Sequence, residues 1–289
     1  MIPLEYPGSA AAGLVLGVAG HVAGWPLARG GSGAIAHALA QALRASGARI
    51  ETGARVDSLA ELPKSALVLL DVGPPAAAAI AGKALPARYA RQLRRYRYGP
   101  GAFKLDWALD GPIPWRAAEC LRAATVHVGG SLEEIAQSER DAWEGRVSDR
   151  PFVLLCQASL FDDARAPAGK HTAWAYCHVP HGCPVDMTER IERRIEEYAP
   201  GFRDRILQRS ARSPAALEQH NANLVGGDII GGSNHVWQLM FRPVPGRHPF
   251  RTPARGLYLC SASTPPGAGV HGMCGWNAAL TALRDVGRL

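Results

Sequence analysis

Residues 256–280 read GLYLCSASTPPGAGVHGMCGWNAAL. Gly256 to Ala262 is an apolar run of strand length. A Gly/Pro-rich loop, Ser263 to Gly272, follows it, and a helix then carries Met273, Trp276, Leu280 and Leu283 on one face. Within the loop, Gly267-Ala268-Gly269-Val270-His271-Gly272 is a literal G-x-G-x-x-G. Glycine lets a main chain approach a ligand closely, and amides at a helix start favour an anion. The dinucleotide fingerprint also needs a second strand ending in an acid about 20 residues further on, which this stretch does not have. Two readings stay open for it: a loop-to-helix ligand cradle, and a glycine-rich turn that holds nothing.

Outward from this stretch, the α/β texture recurs near the other end. Gly30-Gly31-Ser32 opens a helix with Ile35, Leu39, Ala42 and Leu43 at helical spacing and Gly47 as its stop. Short strands are expected at 48–52 and 54–56. Ala66 to Asp71 (ALVLLD) reads as a strand buried on both faces. The texture changes near Tyr98. Phe103, Leu105, Trp107 and Leu109 alternate with Lys104, Asp106, Ala108 and Asp110, which is a strand with one buried face. Further strands are expected at 122–128, 152–159 and 170–179. Two helices lie among them. One starts at Ser131 with Glu134. The other starts at Asp186 with Glu189 and has Met187, Ile191, Ile195 and Tyr198 as its apolar stripe. Ser213-Pro214 begins a third, short helix.

The two α/β portions bracket an antiparallel sheet with helices, so the expected fold class is α/β (α+β), with an insertion in a discontinuous domain. The boundaries expected are 1–24 for an entry segment or substrate-domain helix, 25–97 for part of the α/β domain, 98–249 for the inserted domain, and 250–289 for the closing strand, loop and helix.

Composition removes several classes of function. The chain has 289 residues, 47% hydrophobic and 20% charged, which is an ordinary globular balance. No run is long and apolar enough to span a bilayer. Ala10 to Gly24 is apolar, yet it lacks the positive flank of a signal peptide and contains His21. The net charge of +7 is spread along the chain and often paired with acids, so nucleic acid is not an expected partner. Of six cysteines, at 120, 156, 177, 183, 260 and 274, Cys156, Cys177 and Cys260 lie in strand-like apolar runs, which suggests a reducing, cytoplasmic setting. Cys177, His178, His181 and Cys183 crowd together without zinc-like spacing, and no metal is expected. No catalytic acid or base can be assigned. Asp106, Asp228 and His271 are weak candidates, and a His271–Cys274 pair depends on geometry.

Three stretches together resemble flavin-dependent oxidoreductases of the phytoene desaturase and amine oxidase-like superfamily. They are WPLARGGSGAIAHALAQALRASGARIETGARV (25–56), YGPGAFKLDWALDGPIPW (98–115) with APAGKHTAWAYCHVP (166–180) and DMTERIERRIEEYAPGFRDRIL (186–207), and the opening stretch, 256–280. The resemblance implies a Rossmann-like FAD domain interrupted by an antiparallel substrate domain, with FAD as cofactor. It places Thr264, Gly267, Gly269, Val270, Gly272 and Met273 beside the flavin and pyrophosphate, and Val56 at the adenine end. It implies hydride transfer from an apolar, isoprenoid-like or amine substrate to the flavin. The family's N-terminal strand–GxGxxG–helix has no counterpart in these residues, so the FAD domain reads as incomplete. A partner chain or a second copy covering that domain is expected, with peripheral membrane contact a further option. The alternative is a non-catalytic fragment or interaction protein that keeps the fold without tight FAD binding.

Overall fold

The computed structural model describes residues 2–288. Its helices in chain order are α1 (Ser9–Ala23), α2 (Gly33–Ala45), α3 (Pro74–Ala81), α4 (Ala87–Arg94), α5 (Leu132–Trp143), α6 (Thr188–Glu196), α7 (Pro214–His220), α8 (Val236–Met240) and α9 (Met273–Asp285). The strands are β1 (Val68–Leu70), β2 (Gly101–Leu109), β3 (Thr125–Val128), β4 (Val153–Cys156), β5 (His171–Val179), β6 (Ile206–Arg212) and β7 (Leu257–Leu259). They divide into two compact units. The first comprises 54–100 and 217–288, and the second comprises 3–53 and 101–216. The chain is thus α/β, with one parallel and one antiparallel sheet.

In the first unit, β1 and β7 pair in parallel, Val68 opposite Leu257 and Leu70 opposite Leu259. β7 is buried at all three positions, as its unbroken apolar sequence requires. Leu69 of β1 is partly exposed, so β1 is not buried on both faces. Leu70, Ala77, Ala78, Ala81, Leu85, Leu93 and Leu259 form the core. α3 joins it through alanines, with Pro74 at the helix start, where the missing N–H costs nothing. Strands at 48–52 and 54–56 do not form. A strand exists only by pairing, and among the described residues this sheet consists of β1 and β7 alone.

The second unit holds a five-stranded antiparallel sheet in the order β3-β4-β5-β2-β6. The alternation at 103–109 settles one face. Phe103, Leu105, Trp107 and Leu109 pack with Ala173, Ala175, Cys177 and Val179 against Met187, Ile191 and Ile195, at the start and along α6. Trp107 stands edge-on to Phe202 at 5.4 Å, and its indole N–H donates to the buried Glu192 carboxylate at 2.9 Å. Tyr198 does not complete the α6 stripe; it is partly exposed and its hydroxyl donates to Gly129 O.

The expected caps are half right. Ser131 Oγ accepts the Glu134 amide at 3.4 Å, but the Glu134 carboxylate goes to Arg194. Asp186 accepts the Thr188 amide at 2.8 Å, whereas Glu189 pairs with Arg203. Charged side chains from neighbouring segments outcompete the local return contact.

Helix faces differ from the sequence pattern in two places. α9 buries Cys274, Ala278 and Ala282, the small residues, and leaves Trp276 61% exposed and Met273 exposed. α2 buries none of its residues, so Ile35, Leu39 and Leu43 face outward. α1 likewise presents Leu14, Val15, Leu16, Val18 and Val22. No helix is long and apolar enough to cross a membrane among the described residues.

Candidate functional site

The carboxyl ends of parallel strands are where open α/β sheets bind ligands. In the first unit both strands end at one cleft of about 260 Å³. Asp71 and Gly73 follow β1, Ser261, Ala262 and Ser263 follow β7, and Tyr98, Asn223, Ile229 and Gly231 complete the lining. The ladder continues one step beyond the strands, the Cys260 amide donating to Leu70 O at 3.0 Å. Asn223 braces the β1 end, its Oδ1 accepting the Gly73 amide at 3.0 Å. Burial raises the Asp71 carboxyl above the ordinary aspartate value. Burial also lifts the Tyr98 phenol and pushes the Cys260 thiol up to about 12.

The glycine loop leaves the β7 end of this cleft. Thr264 is fully buried, and its hydroxyl and amide both donate to Ser261 O at 2.8 Å. Ser261 and Ser263 share a hydroxyl–hydroxyl bond of 2.6 Å. The buried Cys274 thiol donates to Thr264 O and Gly267 O, each at 3.4 Å, and ties the loop to the first turn of α9. Gly267, Gly269 and Gly272 have φ of 104°, 149° and 62°, where a side chain would be strained. From Ala268 to Met273 the loop is exposed, and Val270 is almost wholly so. No hydrogen bond engages the amides of Ala268 to His271 among the described residues, and the chain turns at 265–266 and 270–271. The residues expected at the cofactor therefore divide. Thr264 shapes the loop from beneath, while Gly267, Gly269, Val270, Gly272 and Met273 form one continuous segment. Val56 belongs to the same unit, half-buried in irregular chain, and no hydrogen bond joins residues 54–58 to the loop.

The weaker candidates resolve into structural roles. Asp228 is fully buried and accepts the amides of Gly99 at 2.7 Å and Ile230 at 2.8 Å. His271 Nδ1 accepts the Met273 amide at 3.0 Å, so it caps α9, while Cys274 points into the loop; they are not a pair. Asp106 is bound by Lys104 on the same strand. At the other glycine-rich start, the Asp162 carboxylate already accepts the Gly30 amide at 2.7 Å, which fills that helix start with an anion of the chain itself. The six cysteines are free, and burial raises the thiols of Cys156 and Cys177 as well as Cys260, which makes them weak nucleophiles.

One residue of this site carries no sequence signal. Arg242, in FRPVPG, is 4% exposed. Its Nη2 donates to Asn234 Oδ1 at 2.9 Å and its Nη1 to Ala262 O at 3.4 Å, and its Nε has no partner. A methyl group added at Gly267 would meet Arg242 Nη1 at 2.9 Å, so the guanidinium lies directly beneath the loop.

The second unit offers a different surface. On the sheet face away from α6, the Trp174 and Tyr176 rings stack 6.3 Å apart and 8° from parallel. Lys104 Nζ stands 5.7 Å from the Trp174 ring centre. His178 Nδ1 meets the buried Glu139 carboxylate at 2.8 Å, and its ring lies 5.4 Å from Tyr176.

These features define an α/β fold of the FAD-oxidoreductase type, with one unit built on a parallel strand pair and the other on an antiparallel sheet. An oxidoreductase structure from Methanosarcina mazei shares the fold, with a TM-score of 0.56 at 18% identity over 88% of this chain and 55% of that one. Within the class, the chain is a relative of the branch containing pyridine nucleotide-disulfide oxidoreductase domain-containing protein 2. It is 30% identical to the rat and the mouse protein of that name over 91% of its own length and 52% of theirs. A 4,4'-diapolycopen-4-al dehydrogenase of Metabacillus indicus is 24% identical over 84% of the chain and 50% of its own length. The chain thus spans about half the length of the curated relatives it matches. No family model matches it.

Proposed function

We propose that this chain is part of a flavin-dependent oxidoreductase and that its Gly267–Gly272 loop receives the anionic portion of FAD. One observation carries the reading: a glycine loop, exposed from Ala268 to Gly272, leaves the carboxyl end of a parallel strand and opens α9. Bound FAD would supply the redox chemistry by accepting a hydride equivalent. The residues of this chain bind and orient it. Gly267 and Gly269 allow close main-chain approach, Thr264 and Cys274 hold the loop in shape, and the start of α9, where His271 takes the Met273 amide, still presents the positive end of the helix dipole. The stacked Trp174 and Tyr176 give the second unit an apolar surface suited to a flat or long hydrocarbon-like substrate, a dehydrogenation of the kind performed by phytoene desaturase-like enzymes. The free, buried cysteines fit a reducing, cytoplasmic setting.

A second reading is favoured by the outward apolar faces of α1 and α2, which fit a chain that works through a partner or a second copy. One experiment separates the two. The purified chain is mixed with FAD, passed through gel filtration and scanned in the visible range. A flavin band that travels with the protein is the expected result. A folded chain that emerges without flavin would shift the function to the partner-dependent reading.

A further inference from the structure

We infer that Arg242 is the fixed charge of an oxyanion site at the Gly267–Gly272 loop and that its occupant is a diphosphate group. The naming of that diphosphate as part of FAD rests on the flavin reading; the oxyanion site does not. The argument starts from electrostatics. Arginine stays charged in any protein, and a buried charge without a counter-ion is costly. Arg242 is 4% exposed, and no carboxylate of the described residues lies within ion-pair distance of it. Its two hydrogen-bond partners, Asn234 Oδ1 and Ala262 O, are neutral, and its Nε has none. The buried acid of the same unit, Asp228, is committed to the amides of Gly99 and Ile230. The nearby Tyr96 phenol is held up at about 12, chiefly by burial, with the Arg242 charge lowering it and the Asp228 charge raising it, so it supplies no anion at neutral pH.

The charge also lies directly against the loop. The guanidinium lies beneath Gly267, and the glycine leaves no Cβ between the two. The amides of Ala268 to His271 and the N-terminus of α9, where His271 takes the Met273 amide, continue the same positive region. Arginine's planar fork suits phosphate oxygens. A cation held at such cost beneath a glycine loop is a feature kept for a ligand, at the expense of the empty protein.

This trade gives opposite signs for two measurements, which a merely bracing arginine would not. The full chain and its Arg242→Met variant are melted with and without inorganic pyrophosphate, at ionic strength matched with sodium chloride. Methionine fills similar space without the charge. The ligand-free variant is expected to melt roughly 2–4 °C above the parent. Pyrophosphate is expected to raise the melting temperature of the parent and to leave the variant unchanged. A parent that ignores pyrophosphate, or a variant that responds as strongly as the parent, overturns the proposal. If the Met variant does not fold, Arg242→Lys decides: a pyrophosphate affinity at least threefold weaker supports the site, and an equal affinity overturns it. FAD is titrated in parallel. Pyrophosphate binding through Arg242 without FAD binding would sink the flavin reading and leave the oxyanion site standing. FAD binding undiminished by Arg242→Met would do the reverse.

Discussion

Gly73 has a φ of −59°, which any residue can adopt. It is glycine for another reason: a Cβ there would overlap the Tyr98 hydroxyl, while the next ring atom, Cζ, would lie at an ordinary 3.6 Å. Gly73→Ala should therefore destabilise the chain, and the same change in a Tyr98→Phe background should cost much less. The expected coupling is roughly 0.5–3 kcal/mol from a double-mutant cycle read by urea denaturation. Additive effects would show that the two side chains do not meet. At this scale the sequence is a partial guide. The glycines of 267–272 stand out by their spacing, and the structure gives each of the three a positive φ. Gly73 and Arg242 do not stand out, because their importance lies in contacts with residues distant in the chain.

Elements were legible where burial imposes a period. The alternation at 103–109 gives β2 and its buried face, and Met187, Ile191 and Ile195 give the face of α6. β6 escaped because ILQRSAR is an edge strand, exposed over most of its length, with no core to impose alternation. α9 was legible as a helix but not by its face. Hydrophobic size pointed to Met273, Trp276, Leu280 and Leu283, yet close packing selects Cys274, Ala278 and Ala282. The distinction is measurable. Ala278→Leu should cost about 1–3 kcal/mol by overpacking. Trp276→Ala should change stability by only about 0.5 kcal/mol in the isolated chain, because the indole is largely in solvent. A large loss with Trp276→Ala and none with Ala278→Leu would mean that the faces are reversed.

At the scale of the molecule, the apolar surface is the unusual property. Leu14 is 70% exposed and Val18 65%, four residues apart on α1, in a helix with no charged side chain. Patches of this kind mark association. Replacing both with Glu should leave the melting temperature nearly unchanged, since neither is buried, and should reduce concentration-dependent self-association in sedimentation runs. A melting temperature that falls by several degrees would show that these side chains are packed in solution. The outward faces of α1 and α2 were not legible from the sequence. An apolar stripe in a sequence states what a helix can bury, and not whether anything lies against it.

The parallel pair β1–β7 also sets an order of events in time. The 186 residues between Leu70 and Leu257 must be synthesised before the two strands can meet. At ribosomal speeds of about 5–20 residues per second, that interval is roughly 10–40 s. Throughout it, β1 and the alanine face of α3 have no strand to close against. The whole of 101–216 meanwhile emerges, so all five strands of its sheet are available to pair before β7 is made. The cleft at the ends of β1 and β7 is therefore among the last of these features to form, and a nascent chain would need β1 shielded until β7 arrives.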